Sequence, residues 1–532
     1  MTGGFLMTIN SKTLLCSTAM LAAVLAAAPA AAERILRADE VAVGEIDPAK
    51  GTDYADTILA INLYDTLVYP KQGGSGVQPH LATDWTIDGA NYTFTLRDGV
   101  TFNSGNPLTA ADVVYSFERM MALGQGNSSL FAGVVDDVTA PDDTTVVFTL
   151  ASPFAPFLAS LIQFPIVDMA VVKANEVDGD WASTWMSQNS AGSGQYVIVS
   201  HDPQTETVLA YEPDHFLEPV AGYPETVRFS YGLEPSTVRA LMSRGEHDIS
   251  SQWMPPEVYA GLAEDGAKLV TEAGLTGEYF KLNTQRAPLD DVHCRRALAY
   301  AFDYATMGQL TQINADTSTG KPMSGAIPAG MVGHDPDLPA FAQDMALAQE
   351  ELAKCAYDPG AHPLDVVFIA ETPARERGAL MMQAIYSQMG FDVEITRTPW
   401  ALLTEQVTNP ETAPHVVEIA ISAASPDTDS LLYAMYHSSQ PPTWISSSYY
   451  ANAEVDALLD EGRVETDPAK RQEIYARVNA ILAEEVPDIF AYELQSPFAV
   501  RAGVTYHNLE DPSRTYPSSG FNMRFADISV PE

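Results

Sequence analysis

The first 32 residues constrain this chain more than any other segment, because they predict where it folds. They carry one charged side chain, Lys12, followed by an apolar run from Leu14 to Ala28 and by small residues up to Ala32. A positive charge, a short apolar run and small residues before the cleavage point are typical of a secretory signal. We therefore predict cleavage near Ala32 and a mature chain that begins near Glu33.

An N-terminal membrane anchor is the alternative interpretation of this segment. The apolar run is shorter than the roughly 20 residues that a transmembrane helix needs, which favours the cleaved signal. Cys16 follows Leu15, whereas a lipid-attachment signal needs a small residue at that position. We expect an exported protein that is soluble in a Gram-negative periplasm.

Composition restricts the classes of partner. Cleavage would leave about 500 residues, enough for more than one domain, and 46% hydrophobic residues argue against disorder. The chain has 70 acidic and 28 basic residues, a formal net charge of −42. Phosphate backbones are bound by clustered Lys and Arg, so a nucleic-acid partner is excluded. The acidity favours a solvated surface over a site for a cationic ligand, although the second interpretation stays open.

After cleavage two cysteines would remain, Cys294 and Cys355. An even pair in an oxidising compartment is compatible with one disulfide. Both cysteines lie in helix-like stretches, so two free, buried thiols are the alternative. The ten His residues show no spacing typical of a metal site, and we expect neither a metal nor a cofactor.

Short strands dominate the first half of the predicted structure. Tyr92 to Leu96 alternates as a half-buried strand, and Asp98-Gly99 predicts a turn that returns the chain at Val100 to Phe102. Thr109, with Asp112 three residues later, predicts the start of an amphipathic helix. Further strands are predicted at 145–150, 196–200, 208–211 and 227–231.

Helices and strands alternate in the second half, which predicts an α/β lobe with a mixed sheet. The predicted helices are 295–302, 345–354, 377–389 and 467–484, and the predicted strands are 366–369, 393–396 and 418–422. A flexible Gly/Ser linker is missing from the sequence, so structured segments must join the two halves. We predict strands at Glu278 to Asn283 and Phe490 to Gln495 as the hinges.

The sequence contains no nucleophile elbow, Walker loop or metalloprotease helix. Gly192-Ser193-Gly194 lacks the third glycine of a dinucleotide fingerprint and is interpreted as a turn before a strand. Ser75 lies in a polar loop without the strand-turn-helix context of a nucleophile. We therefore do not expect an enzyme. An exported hydrolase with paired carboxylates and an adhesion or chaperone-like module are kept as alternatives from other classes.

Five stretches together resemble one known family: YDTLV at 64–68, LATDWTIDGANYTFTLRDGVTFNSGNPLTAADVVYSFERM at 81–120, GSGQY at 192–196, LNTQRAPLDDVHCRRALAYAFDY at 282–304 and YYANAEVDALLDEG at 449–462. In this order they are similar to the family 5 extracellular solute-binding proteins, the peptide, opine and nickel receptors of ATP-binding-cassette (ABC) importers. The resemblance covers almost the whole mature chain.

The resemblance implies an α/β protein with the two-lobed periplasmic binding-protein fold of type II, cluster C-like. It implies mixed sheets, a two-strand hinge and a subdomain inserted in the first lobe. The implied first lobe comprises 33–80, 192–276 and 496–532, the subdomain 81–191 and the second lobe 277–495. The implied partners are a small-molecule or peptide ligand, an inner-membrane permease and, indirectly, its ATPase subunits. We expect a monomer.

The resemblance also suggests ligand-binding residues. The loop after the Asp-Pro turn borders the ligand in peptide-binding relatives, which indicates Thr52, Asp53 and Tyr54. Aromatic candidates are Trp400 of the second lobe and Tyr492 of the second crossing strand, whose ring suits packing and hydrogen bonding. Weaker aromatic candidates are Trp253 and Trp444. Each of these aromatic residues could equally belong to the core.

One departure from the family pattern bears on the ligand. Peptide receptors commonly carry Trp-x-x-Asp-Tyr, whose carboxylate neutralises the ligand's ammonium, and our alignment places Ile421 at the Trp and Ala424 at the Asp. An unpaired buried charge is costly, so this change argues against an ammonium unless another acid substitutes. The possible substitutes are Asp53, Glu418, Asp427 and Asp429.

Glu418 falls near a position where a peptide receptor can have Arg, and this exchange would weaken binding of a ligand carboxylate. Ser422 to Ser425 supplies small residues and hydroxyls to the same wall. An alignment slip in a variable loop is the alternative explanation. We predict a receptor for an oligopeptide or similar solute, with an oligosaccharide or other neutral polar solute as the alternative.

Overall fold

The computed structural model describes Met1 and residues 33–531 apart from 75, 339–340, 371, 373–374, 424, 441 and 519. The predicted signal peptide therefore lies outside the described residues, as do Ser75 and Ala424. Within the described part of the chain, none of the helices combines the length and the apolar character needed to cross a membrane.

The strands, in chain order, are β1 (Ile35–Glu40), β2 (Val68–Pro70), β3 (Val77–Pro79), β4 (Ala82–Asp88), β5 (Asn91–Leu96), β6 (Val135–Asp142), β7 (Thr145–Leu150), β8 (Tyr196–Asp202), β9 (Glu206–Tyr211), β10 (Thr226–Tyr231), β11 (Lys268–Leu282), β12 (Gly320–Pro322), β13 (Leu364–Ile369), β14 (Val393–Thr398), β15 (Val416–Ser422), β16 (Asp488–Val500), β17 (Thr505–Tyr506) and β18 (Ile528–Ser529).

The α-helices are α1 (Tyr54–Leu63), α2 (Ala110–Leu123), α3 (Phe157–Ser160), α4 (Met169–Ala174), α5 (Ser183–Met186), α6 (Pro235–Ser243), α7 (Pro256–Glu264), α8 (Val292–Ala301), α9 (Tyr304–Leu310), α10 (Met345–Leu352), α11 (Glu376–Gln388), α12 (Trp400–Gln406), α13 (Thr428–Tyr436), α14 (Ala453–Val464), α15 (Pro468–Glu485) and α16 (His507–Glu510).

Two long antiparallel strands, β11 and β16, run through the centre of the molecule, and we call them the crossing strands. At one end Lys268 pairs with Val500, and at the other Lys281 pairs with Asp488. Their register shifts between Ala273 and Gly277. The predicted hinge stretch Phe490 to Gln495 lies within β16, and the stretch Glu278 to Asn283 overlaps β11 up to Leu282, with Asn283 just beyond the strand.

The first lobe is built around the sheet with strand order β1-β10-β9-β8. Its core combines residues that are distant in sequence, such as Leu36, Phe229, Phe498 and Phe525. A second four-stranded sheet, with order β4-β5-β7-β6, forms the inserted subdomain. Its core lies around Phe94.

The second lobe contains the other ends of the crossing strands in a mixed sheet of order β12-β16-β11-β15-β13-β14. β13 pairs in parallel with both β14 and β15, whereas β15 is antiparallel to β11. Its two faces bury separate cores, one around Tyr279 and Ile419 and the other around Phe280 and Phe368. The predicted two-lobed α/β architecture with mixed sheets is confirmed, while the exact lobe boundaries stay a prediction.

The predicted hairpin at 92–102 is wrong. β5 pairs with β4 and β7, and Val100 to Phe102 forms no strand of the sheet. Gly89, with a φ of 61°, lies in the turn between β4 and β5. Thr101 instead forms a bridge with Pro107 around the turn residues Asn103 to Asn106. The strong local turn at 103–106 therefore redirects the chain before a return strand can form.

Other local predictions are confirmed. Thr109 and Asp112 form a capping box at the start of α2, with the Thr109 hydroxyl donating to the Asp112 carboxylate at 2.8 Å. Gly192 and Gly194 pack against the end of α1, where a Cβ at Gly192 would lie 1.9 Å from the Leu63 carbonyl oxygen. Close backbone approach, rather than cofactor binding, explains these two glycines.

Cys294 and Cys355 form a disulfide with Cα atoms 4.9 Å apart. It connects α8 to the segment after α10, across a sequence separation of 61 residues. The alternative of two free thiols is therefore wrong.

Candidate functional site

A cavity of about 280 Å³ lies where the first lobe, the inserted subdomain, the first crossing strand and the second lobe meet. We call it the interlobe cavity. Its lining residues are Thr52, Tyr54, Thr57, Asn127, Gln163, Gly274, Leu275, Ser422, Ala423, Ser425, Pro426 and Ser518. The volume is near the lower end of the range for small-molecule sites.

Asp56 shapes the loop that carries Thr52. Its carboxylate accepts hydrogen bonds from the backbone N–H groups of Gly44, Glu45, Thr52 and Asp53, at 2.8 to 3.2 Å. Asp53 is the N-cap of α1 and forms a capping box with Asp56. These contacts fix the loop beside the cavity, and the sequence pattern did not identify Asp56 as their acceptor.

Tyr54 connects the cavity to the first crossing strand. Its hydroxyl donates to Glu272 at 2.8 Å, although the two residues are 218 positions apart. The other oxygen of Glu272 accepts from the Asn522 amide at 2.8 Å and from the Gly520 N–H at 3.2 Å. Burial raises the pKa of Glu272, and these donors oppose that rise. Glu272 thus holds a cavity-lining ring and the C-terminal segment against the hinge.

The bulge of the first crossing strand is itself part of the cavity wall. Gly274 and Leu275 line the cavity, and Leu275 adopts the left-handed conformation with a φ of 50°. A non-glycine residue pays about 1–2 kcal/mol for this conformation. Thr276 exchanges a hydrogen bond of 2.8 Å with Ser422 on β15. A ligand in the cavity therefore touches the segment where the hinge register changes.

Two acidic residues follow the Ser422 to Ser425 wall, and each has its own arginine. Asp427 makes a bidentate pair with Arg471 at 2.7 and 2.9 Å. Asp429 pairs with Arg463 at 2.9 Å. Both carboxylates are buried. These two possible ammonium partners are therefore already neutralised inside the protein.

The predicted site residues fall into separate groups. Thr52, Tyr54 and Ser422 line the interlobe cavity, and Asp53 is the exposed neighbour that caps α1. Ligand contact by these residues stays a prediction.

The aromatic candidates lie outside the described cavity lining. Trp400 and Trp444 form an edge-to-face pair with ring centroids 5.3 Å apart, packed against the second-lobe core. Trp253 is 62% exposed on the first lobe. Tyr492 pairs with Glu278 across the crossing strands and packs against the Phe280 core. Ligand contact by all four stays a prediction as well.

Glu418 belongs to a buried charge cluster together with Glu278 and Arg375. Arg375 lies 2.9 Å from Glu278 and 4.0 Å from Glu418. Neither carboxyl oxygen of Glu418 accepts a hydrogen bond in the described structure. Burial and the neighbouring Glu278 hold the pKa of Glu418 well above its usual range. Glu418 is also absent from the described lining of the interlobe cavity.

The two lobes, the paired crossing strands and a partly open polar cavity between the lobes are the features of a bacterial extracellular solute-binding protein. The model of the family "Bacterial extracellular solute-binding proteins, family 5 Middle" matches residues 76–442. The chain belongs to this family.

Two relatives from Escherichia coli K12 indicate the range of similarity. The chain is 30% identical to a probable D,D-dipeptide-binding periplasmic protein over 473 residues, covering 86% of this chain and 88% of that protein. It is 25% identical to a dipeptide-binding protein, covering 82% and 84%. These homologues are substrate-binding transport proteins.

Solved structures confirm the fold. HbpA2 from Haemophilus parasuis superposes with a TM-score of 0.80 at 21% identity, covering 94% of this chain and all of the other. The binding protein DppA from Helicobacter pylori, in complex with the peptide STSA, has a TM-score of 0.71 at 23% identity and covers 94% and 98%.

Proposed function

We propose that this protein is the receptor of an ABC importer, which encloses a peptide-sized polar solute between its lobes and delivers it to an inner-membrane permease. The observation that carries the proposal is the interlobe cavity, whose walls come from both lobes and from the hinge itself. The ATPase subunits would be contacted through the permease alone. The receptor would act as a periplasmic monomer after cleavage near Ala32.

The geometry supports capture by closure. A solute seated between Tyr54 and Ser422 contacts both lobes at once, so it favours the closed arrangement in which both contacts exist. Small peptides are the first ligands to test, because relatives of this chain are dipeptide-binding proteins. An oligosaccharide is the second candidate, favoured by the hydroxyl and carboxamide groups of the lining.

Native mass spectrometry of the protein isolated from the periplasm tests the proposal. We expect an N-terminus near Glu33, a monomer and a bound solute that is released on denaturation without chemical change. Small-angle scattering should show a smaller radius of gyration for the loaded protein than for the emptied protein.

A cavity-filling variant supplies the control. Ser422→Trp should abolish retention of the solute, whereas Ser387→Trp, at an exposed position near the end of α11, should retain it. Equal retention by both variants would contradict binding in the interlobe cavity. Conversion of the released compound would instead favour an exported hydrolase.

A further inference from the structure

The interlobe cavity indicates the charge of its ligand as well as its size. Its described polar lining consists of hydroxyl and carboxamide side chains, among them Thr52, Thr57, Asn127, Gln163 and Ser422. These groups both donate and accept hydrogen bonds, and none carries a charge. We propose that the cavity takes a neutral solute rich in hydroxyl or amide groups, without a free ammonium. This inference rests on the proposed function and specifies its ligand.

Two buried carboxylates on the first-lobe side, Asp56 and Glu272, are already occupied by donors of the protein. Asp56 accepts four backbone N–H groups, and Glu272 accepts the Tyr54 hydroxyl, the Asn522 amide and the Gly520 N–H. To bind a ligand ammonium, Asp56 would have to release the loop that carries Thr52, or Glu272 would have to release the Tyr54 ring. The same contacts that build the cavity therefore remove these two acids as ligand partners.

The second-lobe side is neutralised by arginine. Asp427 and Asp429, just beyond Pro426, are each paired with one guanidinium, and the Asp427 pair is bidentate. Bidentate pairs with arginine use both carboxylate oxygens. A second cation at Asp427 would give that carboxylate two positive partners and meet repulsion from Arg471. This wall therefore presents no net negative charge to a ligand.

Glu40 supplies the competing explanation. It is buried beside the exposed Trp253, and its Oε1 accepts no hydrogen bond in the described structure. Burial and Glu272 raise the pKa of Tyr54, and Glu40 lies close enough to contribute to that rise. If closure brought an ammonium to Glu40, the protein would bind charged peptides through this residue. Burial raises the pKa of Glu40 to about 8, which leaves it largely neutral at pH 7 and favours the neutral ligand.

Matched ligand mixtures test the inference on the mature protein after its bound solute has been removed by dialysis. The first mixture contains dipeptides and tripeptides with free termini, and the second contains the same sequences acetylated at the N-terminus and amidated at the C-terminus. The third is a neutral oligosaccharide mixture. Thermal unfolding is measured with each, because ligand binding to the folded state raises Tm. We expect the second or third mixture to raise Tm and the free peptides to bind at least 100-fold more weakly.

A larger Tm increase with free than with blocked peptides would overturn the inference while supporting the proposed function. Loss of that increase in Glu40→Gln would then identify Glu40 as the ammonium partner. If no mixture raises Tm, the solute identified by native mass spectrometry decides: a neutral compound supports the inference and an ammonium compound overturns it. An empty cavity in that measurement, with no response to any mixture, contradicts the proposed function itself.

Discussion

Four buried carboxyl groups of the second lobe are paired with arginine in two different ways. Asp427 and Asp429 each have an arginine of their own, Arg471 and Arg463. Glu278 and Glu418 share Arg375, which contacts the first at 2.9 Å and the second at 4.0 Å. All four carboxyl groups are at most 5% exposed. The difference between the two arrangements is therefore one of charge balance and not of burial.

Charge balance determines how each arrangement responds to pH. A carboxylate with its own guanidinium keeps a compensated charge, whereas two carboxylates with one guanidinium leave a net negative charge in an apolar core. Burial, together with the neighbouring Glu278, raises the pKa of Glu418 well above its usual range. Asp427 directly follows the cavity-lining Pro426, whereas Glu278 and Glu418 are absent from the described cavity lining.

The largest effect is expected when Asp427 loses its partner. Arg471→Met leaves a buried carboxylate without compensation, which should lower the free energy of unfolding by about 3–5 kcal/mol. Chemical denaturation at pH 7.5 measures this change. Lys470→Met, on the same helix but with a 65% exposed side chain, should change it by less than about 0.5 kcal/mol. Similar losses for both variants would contradict the importance of the bidentate pair.

Removing the shared arginine should have a smaller effect that depends on pH. Arg375→Met should cost about 2–4 kcal/mol at pH 8. The loss should diminish towards pH 5, because protonation of Glu278 and Glu418 removes the uncompensated charges. Denaturation curves at both pH values measure the difference, with Arg377→Met as the control, at an exposed position in the first turn of α11, whose N-cap is Arg375. A loss independent of pH would show that Arg375 acts through packing alone.

The ion pair between Asp429 and Arg463 tests whether partial exposure of an arginine weakens its pairing with a single buried carboxylate. The Arg463 side chain is 31% exposed and stacks on Tyr433, 3.3 Å from the ring centroid. Water can partly replace this guanidinium, so Arg463→Met should cost about 1–2 kcal/mol, less than the loss at Arg471. The ratio of the two losses in parallel denaturation experiments is the measurement, and equal losses would refute the effect of exposure.

Neutralising the unbalanced acid should stabilise the protein slightly. Glu418 has a raised pKa in the folded state, so the fold is penalised as pH rises above the ordinary glutamate pKa of 4.5 towards the folded-state pKa. Glu418→Gln should therefore stabilise the protein near pH 7.5 and change its stability little near pH 4, where Glu418 is mostly protonated in both states. Glu278→Gln, which removes the closer partner of Arg375, should lose stability instead. A gain at pH 4 equal to that at pH 7.5 would rule out the ionisation effect.

Local sequence patterns predicted the elements of the fold well and the contacts between them poorly. The capping box at Thr109 and the strands β13 to β15 follow from nearby residues, and parts of the crossing strands were predicted as strands at Glu278 to Asn283 and Phe490 to Gln495. The hairpin at 92–102 was wrong because a local turn at 103–106 outweighed the alternating pattern. Elements could be inferred from sequence because the interactions that define them are short in range.

The candidate site was predictable only in part for the same reason. Resemblance to the family placed Thr52, Tyr54 and Ser422 where the cavity lies. The link between Tyr54 and Glu272 spans 218 residues, and no periodicity or spacing connects such positions. The arginine partners of Asp427 and Asp429 were equally invisible, because helices far along the chain supply them.

The disulfide between Cys294 and Cys355 can form only in an oxidising compartment. Closing a loop of 61 residues stabilises a fold by about 4 kcal/mol in the chain-entropy description. A newly made chain in the reducing cytosol lacks this stabilisation, because its thiols stay reduced there. Under the proposed export, a precursor that is less stable before export than after it would suit passage through a translocation pore, and oxidation in the periplasm would then stabilise the second lobe.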